Sequence, residues 1–401
     1  MNDLGQKIKR LSAIVIGLVF FFSGVFKLSD PVGTGLLAQE YFKFLGVSSI
    51  GLGLAKGIGL LLSFAEALTG SALVVGVYRK ISAALAWIMT VFFTILSLAL
   101  LIFNPSFDCG CFGEVIKLTH LQTLGKNLLL LILCIAAFVP VPGKVRAMKR
   151  KFVAFYLVAA AILGLGIYSA AYLPLVDFTE YNLSAKLYDP LSDNLPSEGD
   201  SGLFTSTFIY EKNGQKGVFT IDNLPDSTWK FVSSQSVEKS DNVYETDFPT
   251  LSFSNEKGEY MDSVALGRRV MVYSVYDVSA LSEKDWEAVG KSASLCSTIG
   301  IKPILLIAGK KEDMGAAILP EGTYTADYKT LITLNRSNGG ATYLTEGAVI
   351  NKWALRKLPD EKTGQNLQYK SDNDIMFTSL SERRIIYEGF FLYTLALLLL
   401  V

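Results

Sequence analysis

The sequence predicts an α-helical membrane bundle joined to an α/β water-soluble domain, and three observations carry that reading. Five apolar runs, each long enough to cross a bilayer, crowd the first 175 residues. Residues 177–384 are ordinary polar sequence, with short β-type runs and one amphipathic helical stretch. Between the third and fourth apolar runs lies Phe107-Asp108-Cys109-Gly110-Cys111-Phe112-Gly113-Glu114, which holds two of the four cysteines.

Composition narrows the function. Lys+Arg and Asp+Glu balance at 37 each over 401 residues, so net charge gives no reason to expect nucleic acid. A single histidine, His120, argues against multi-histidine metal sites and against Ser-His-Asp catalysis. Four cysteines are too few for a disulfide scaffold, so the Cys109/Cys111 pair is judged by its position.

The elements follow in order. Lys7, Lys9 and Arg10 form a basic start before an apolar run over 11–26. A signal peptide would need small residues for cleavage, whereas Phe20-Phe21-Phe22 is bulky; the run reads as a spanning helix stopped by Pro31. Residues 32–49 are mixed and read as a short helix in the membrane interface. The second run, 57–77, is interrupted by Glu66 alone. Arg79-Lys80 turns the chain into the third, 81–103, which carries no charge, and Asn104-Pro105 opens the cysteine loop. The fourth run, 121–139, contains Lys126 and Asn127; Lys144, Arg146, Lys149, Arg150 and Lys151 precede the fifth, 152–173. At ~1.5 Å per residue each can span a ~30 Å hydrocarbon core.

Residues 177–201, rich in Pro, Ser, Asn and Asp, suit a linker. Hairpins are expected around Lys212-Asn213-Gly214, around residues 255–258 and around Glu346-Gly347. Continuous apolar strands at 269–275 and 302–308, with a helix over 283–299 between them, predict a parallel pair. Residues 385–401 read as a sixth membrane helix at the lower limit of length, with an interfacial or partner-docked helix as the other reading. The expected division is a four-helix bundle (1–141), a basic loop with the fifth helix (142–175), a linker (176–203), an α/β domain (204–382) and a C-terminal helix (383–401).

Orientation follows from charge. If the runs alternate, the basic start, Arg79-Lys80 and the 144–151 loop share one side, which the positive-inside rule assigns to the cytoplasm. Both termini are then cytoplasmic, and residues 176–384 and the cysteine loop lie on the periplasmic side of a bacterial inner membrane.

Cys109-Gly110-Cys111 is the first candidate for chemistry. A disulfide across one residue closes a small strained ring, and such bonds exchange readily. On an oxidising face the pair could cycle between dithiol and disulfide; the other reading is a structural staple or inert pair. Asp108 and Glu114 oppose a strongly depressed thiol pKa. Glu66 is costly in mid-bilayer and should face the bundle with a cationic partner, Lys27 or Lys126. The three together make either a polar pocket beneath the loop, for a quinone headgroup or proton transfer, or a structural ion pair. His120, at the start of the fourth helix, could deliver protons to the thiols or be a solvated interfacial residue. Cys134 and Cys296 read as buried packing residues.

The first 140 residues resemble the DoxX/MauE family of membrane proteins. The resemblance rests on Ser23-Gly24-Val25-Phe26-Lys27-Leu28-Ser29-Asp30-Pro31, on Glu66 with Gly70 and Gly76 before Arg79, on Asp108–Gly113, and on Gly125-Lys126-Asn127. It implies a four-helix bundle distantly like that of vitamin K epoxide reductase-type thiol oxidases. It also implies a link to methylamine utilisation, where disulfide formation in the dehydrogenase is the role suggested, or to a quinone-linked oxidase. The outer domain resembles the thioredoxin or peroxiredoxin fold through Phe248-Pro249-Thr250-Leu251-Ser252-Phe253 and the strand at 269–275. Tyr276-Asp277-Val278-Ser279-Ala280-Leu281 carries no cysteine where that fold has its redox site, so the resemblance implies a redox-dead domain. The combined layout is similar to DoxX-domain proteins of Bacteroidetes-type bacteria.

Two functions are therefore carried forward. One is a membrane thiol–disulfide oxidoreductase or quinone-linked redox component using Cys109 and Cys111. The other is a non-enzymatic anchor or assembly subunit, embedded in lipid, whose outer domain binds another envelope protein.

Overall fold

The computed structural model describes residues 3–47, 50–105, 107, 109–116, 118–139, 148–187, 204–212, 215–220, 230–238, 249–309 and 322–399. The chain divides into two compact units, one made of 1–186 with 251–401 and the other of 187–250.

In the larger unit, α1 (Asp3–Ser29), α3 (Leu52–Val75), α4 (Arg79–Phe103), α5 (His120–Phe138) and α6 (Lys149–Ala171) are long and apolar enough to cross a membrane. They alternate in direction. Arg10 of α1 donates to the carbonyls of Leu73 and Val74 at the end of α3, and Lys151 of α6 donates to Val75 O. The N-terminal ends of α1, α4 and α6 thus share one basic end with the C-terminal end of α3, as the charge pattern implies. Lys144 and Arg146 lie outside the described residues.

The short helix expected near 32–49 is α2 (Pro31–Phe44). Asp30 caps it by accepting from Gly33 N at 3.0 Å, and Pro31 occupies the first helical position, where its missing N–H costs nothing. Helices α1 and α3 pack closest of all. A Cβ on Gly70 would lie 2.4 Å from Gly17 O, and one on Gly24 would lie 2.5 Å from Ser63 O. Small residues let the two backbones touch, the usual device where lipid offers no hydrophobic drive to association.

The same unit carries a six-stranded sheet in the order β10-β9-β6-β7-β8-β5. Its strands are β5 (Phe253–Ser254), β6 (Val270–Val275), β7 (Lys302–Ile307), β8 (Thr323–Ala326), β9 (Gly340–Thr345) and β10 (Ala348–Trp353). Strand β6 pairs in parallel with β7 across α7 (Glu283–Thr298), as expected; β9 and β10 form the expected hairpin. Every residue of β6 is buried, which is why it reads as a continuous apolar run rather than an alternating one. Met271, Tyr273 and Val275 face a core with Val289, Ala293 and Cys296 of α7. Near residues 255–258 the chain turns back through an Asn255 N to Glu259 O bond, but β5 takes β8 as its ladder partner.

Helices α8 (Tyr328–Leu334), α9 (Glu361–Tyr369) and α10 (Asp372–Leu399) complete the unit. Among the described residues, α10 is not one of the helices long and apolar enough to cross a membrane. Its first half is polar, and its apolar part from Ile385 to Leu399 covers about 22 Å at ~1.5 Å per residue, short of a ~30 Å core. That part lies along the bundle: Phe391 stacks on Phe22 with ring centroids 5.8 Å apart, and Leu398 is buried among residues of α3 and α6.

Two buried ion pairs fasten the sheet to the bundle. Arg336 meets Asp30 at 3.0 Å, and Lys352 meets Asp177 at 2.6 Å, both cations being 3 % exposed. The smaller unit is a three-stranded antiparallel sheet in the order β3-β2-β4, with β2 central, from β2 (Phe204–Lys212), β3 (Gln215–Thr220) and β4 (Lys230–Glu238). The sequence expectation took 204–382 as one domain; among the described residues, β2 pairs with β3 and with β4.

Candidate functional site

Helix periodicity supplies the site's walls. Ser23 and Lys27, four residues apart on α1, share a face, as do Leu37, Ala38 and Tyr41 on α2. With Ser63 and Glu66 of α3, Phe93 and Ser97 of α4, and Lys126 and Asn127 of α5, they line a half-open cavity of about 200 Å³. Cys109, Gly110 and Cys111 close one end of it.

The loop holds this position through backbone bonds. Tyr41 Oη donates to Cys109 O and Ser23 Oγ donates to Cys111 O, each at 2.5 Å. Gly110 has φ +57°, and a Cβ there would lie 2.0 Å from Leu37 Cδ2, so only glycine fits between the two cysteines. Beyond the loop, β1 (Cys111–Glu114) continues the chain toward α5. The thiols face each other at 3.0 Å, and Tyr41 Oη lies 3.6 Å from Cys109 Sγ.

Below them, Lys27 Nζ bonds Glu66 Oε2 at 2.7 Å and Ser23 Oγ at 3.2 Å. Of the two lysines open to Glu66 in the sequence, Lys27 is the partner. Lys126 instead holds its ammonium 5.2 Å above the Phe112 ring. Asn127 donates to Phe93 O and Ser97 Oγ, which ties α5 to α4. His120 is not among the lining residues: its ring nitrogens lie 3.3 Å from Asn104 Oδ1 and 3.1 Å from Phe107 O, bracing the base of the loop.

The electrostatics separate the two thiols. The hydrogen bond from Cys111 draws the Cys109 thiol down to about 6 against the cost of burial, with help from Tyr41 and the Lys126 charge. That same hydrogen bond, then burial, pushes the Cys111 thiol up. The pair gives up its first proton easily and holds the second. The sequence reading set Asp108 and Glu114 against a strongly depressed thiol, whereas the largest influence on Cys109 is the neighbouring sulfur. Asp108, and the side chain of Glu114, lie outside the described residues.

Residues 6–140 match the family described as methylamine utilisation protein MauE. This stretch is a MauE-family domain. The MauE domain contains all of α1 through α5 beyond the first turn, and every residue lining the cavity falls inside it. Residues 204–239, which hold β2, β3 and β4, match a domain family of unknown function. No curated protein and no solved structure matches the chain.

Sequence reasoning missed Tyr41, the hydroxyl closest to Cys109. Its signal was the three- and four-residue spacing from Ala38 and Leu37 within α2, which pairs it with the cavity-lining face. Cys134 and Cys296 are fully buried among packing residues, as expected, and neither joins the Cys109/Cys111 pair.

Proposed function

We propose that Cys109 and Cys111 cycle between dithiol and disulfide on the periplasmic face of a bacterial inner membrane, exchanging two electrons with a partner protein. The observation that carries this reading is the thiol pair at 3.0 Å, closing a cavity that also holds Lys27, Glu66, Lys126 and Tyr41.

The chemistry follows from the split between the two sulfurs. The Cys109 thiolate attacks one sulfur of a partner disulfide, forming a mixed disulfide and releasing the partner's other sulfur as a thiolate. Cys111 then loses its proton and attacks Cys109 Sγ. The Cys109–Cys111 bond closes and the partner's second thiol leaves, so the partner is reduced by two electrons and the pair oxidised. Run in reverse, the disulfide oxidises a partner dithiol, in keeping with a family named for methylamine utilisation. Lys126 and Lys27 place positive charge near the thiolate, and Tyr41 holds the loop in register.

The cavity suits one ring-sized polar group, being smaller than the roughly 300–1,000 Å³ of drug-sized ligand sites. On this reading Lys27, Glu66 and Tyr41 would hold a quinone head, which when bound would supply a two-electron, two-proton acceptor beside the pair.

The rival reading is a non-enzymatic anchor or assembly subunit. It is favoured by the outer sheet, whose thioredoxin-like β6 ends in Tyr276-Asp277 without a cysteine and which is clamped to the bundle by Arg336 and Lys352. The double variant Cys109→Ser, Cys111→Ser separates the two. Under the redox reading it inserts and folds normally yet loses all disulfide exchange with the partner. Retained biological activity would establish the anchor instead.

A further inference from the structure

A second cavity, of about 410 Å³, opens where the C-terminal end of α6 meets β10, α9 and α10. It shares no lining residue with the thiol site. Lys352, Lys357, Lys370 and Arg383 line it, against one carboxylate, Glu382. Lys352 is already matched by Asp177 at 2.6 Å. Asp177 also acts on Arg383, so four cations face two acids, Glu382 in the lining and Asp177 behind it.

Their placement is specific. Arg383 donates to Lys352 O at 2.9 Å, and the Lys357 ammonium lies 5.2 Å above the Tyr172 ring. Burial holds the Lys352 ammonium below its ordinary range despite Asp177, and the nearby Arg336 and Arg383 charges add to that. The cavity also lies at a membrane boundary. Tyr168 and Tyr172 end a membrane-capable helix, the position where tyrosine favours the headgroup layer, and Ile386 begins the apolar half of α10. This is the end opposite the basic end of the bundle. Arg383 and Lys357 thus place positive charge there.

We propose that this cavity binds a phosphate anion, carried by the headgroup of an anionic phospholipid or free in solution. The excess of cations at a polar, partly enclosed surface supplies the charge and the N–H donors such an anion needs. The apolar flank of Ile386 and the tyrosines gives acyl chains a path into the bilayer.

The test uses the full chain in phosphatidylcholine nanodiscs, with phosphatidylglycerol added in one arm and inorganic phosphate titrated in the other. Thermal unfolding and native mass spectrometry report binding. Phosphatidylglycerol will also meet the basic end, so only the part lost in Lys357→Gln and Arg383→Gln counts. Each should weaken binding about fivefold, the factor for one basic residue at an anionic surface. Arg384→Gln, a neighbour that pairs with Glu388 outside the cavity, should leave binding unchanged. Lys357 is exposed, so its variant stays folded even if Arg383→Gln does not. A response to phosphatidylglycerol alone assigns a lipid; an equal response to phosphate assigns the free anion. Wild-type binding that survives Lys357→Gln undiminished, or no response to either anion, overturns the proposal.

Discussion

Lys27 and Glu66 meet at 2.7 Å inside the bundle, 13 % and 6 % exposed, and the pair is worth most where one partner is lost. Removing the carboxylate charge strands an ammonium among apolar helices, a loss of about 3–5 kcal/mol for buried pairs. Glu66→Gln should therefore lower the unfolding midpoint of the detergent-solubilised protein, measured by thermal denaturation. Cys109 gives a pH-dependent signature. Its thiol is lowered to about 6, so the thiolate is present above that pH and is lost as pH falls through it. Alkylation of the reduced pair should accordingly rise through about pH 6, two or more units below an ordinary thiol; a rise near 8.5 would show that Cys111 does not polarise Cys109. The charged residues of this site were legible in the sequence because each is a rare charge in an apolar run. Tyr41 was not, since its role exists only once α2 folds beneath the cysteine loop.

At the scale of elements, the close crossing of α1 and α3 decides the bundle. Gly70→Ala would place a methyl 2.4 Å from Gly17 O, against backbone that cannot rotate away. The cost should be on the order of 1–3 kcal/mol or more, read as a lower unfolding midpoint, while Gly164→Ala, which meets nothing within 4 Å, should leave it unchanged. The five long helices were readable because their apolar runs exceed what any soluble element needs. The β6–α7–β7 unit was readable because two continuous apolar strands bracket one amphipathic helix. Strand β8 and helix α8 were not: each is short, and β8 gains its place only by pairing with β7 and β5. Helix α10 was legible as an apolar tail, but its packing on α1, α3 and α6 was not.

For the molecule as a whole, the MauE domain and the six-stranded sheet belong to one compact unit, joined through Asp30–Arg336 and Asp177–Lys352. Asp30 also caps α2, the helix that carries Tyr41 to the cysteine loop. Arg336→Gln should thus loosen both the sheet and the loop, seen as faster proteolysis between residues 172 and 187 and as a lower unfolding midpoint. The attachment was not legible in the sequence, because Arg336 and Asp30 lie about 300 residues apart and each passes for a surface charge in its own segment. The account's central claim concerns what the joined molecule does with its two thiols. The most direct test is the midpoint potential of Cys109/Cys111 in native membranes, by thiol trapping across a glutathione redox series. A reversible couple well above about −300 mV, the range of inert structural disulfides, is the expected result. A pair that stays reduced or stays oxidised across the whole series would contradict it.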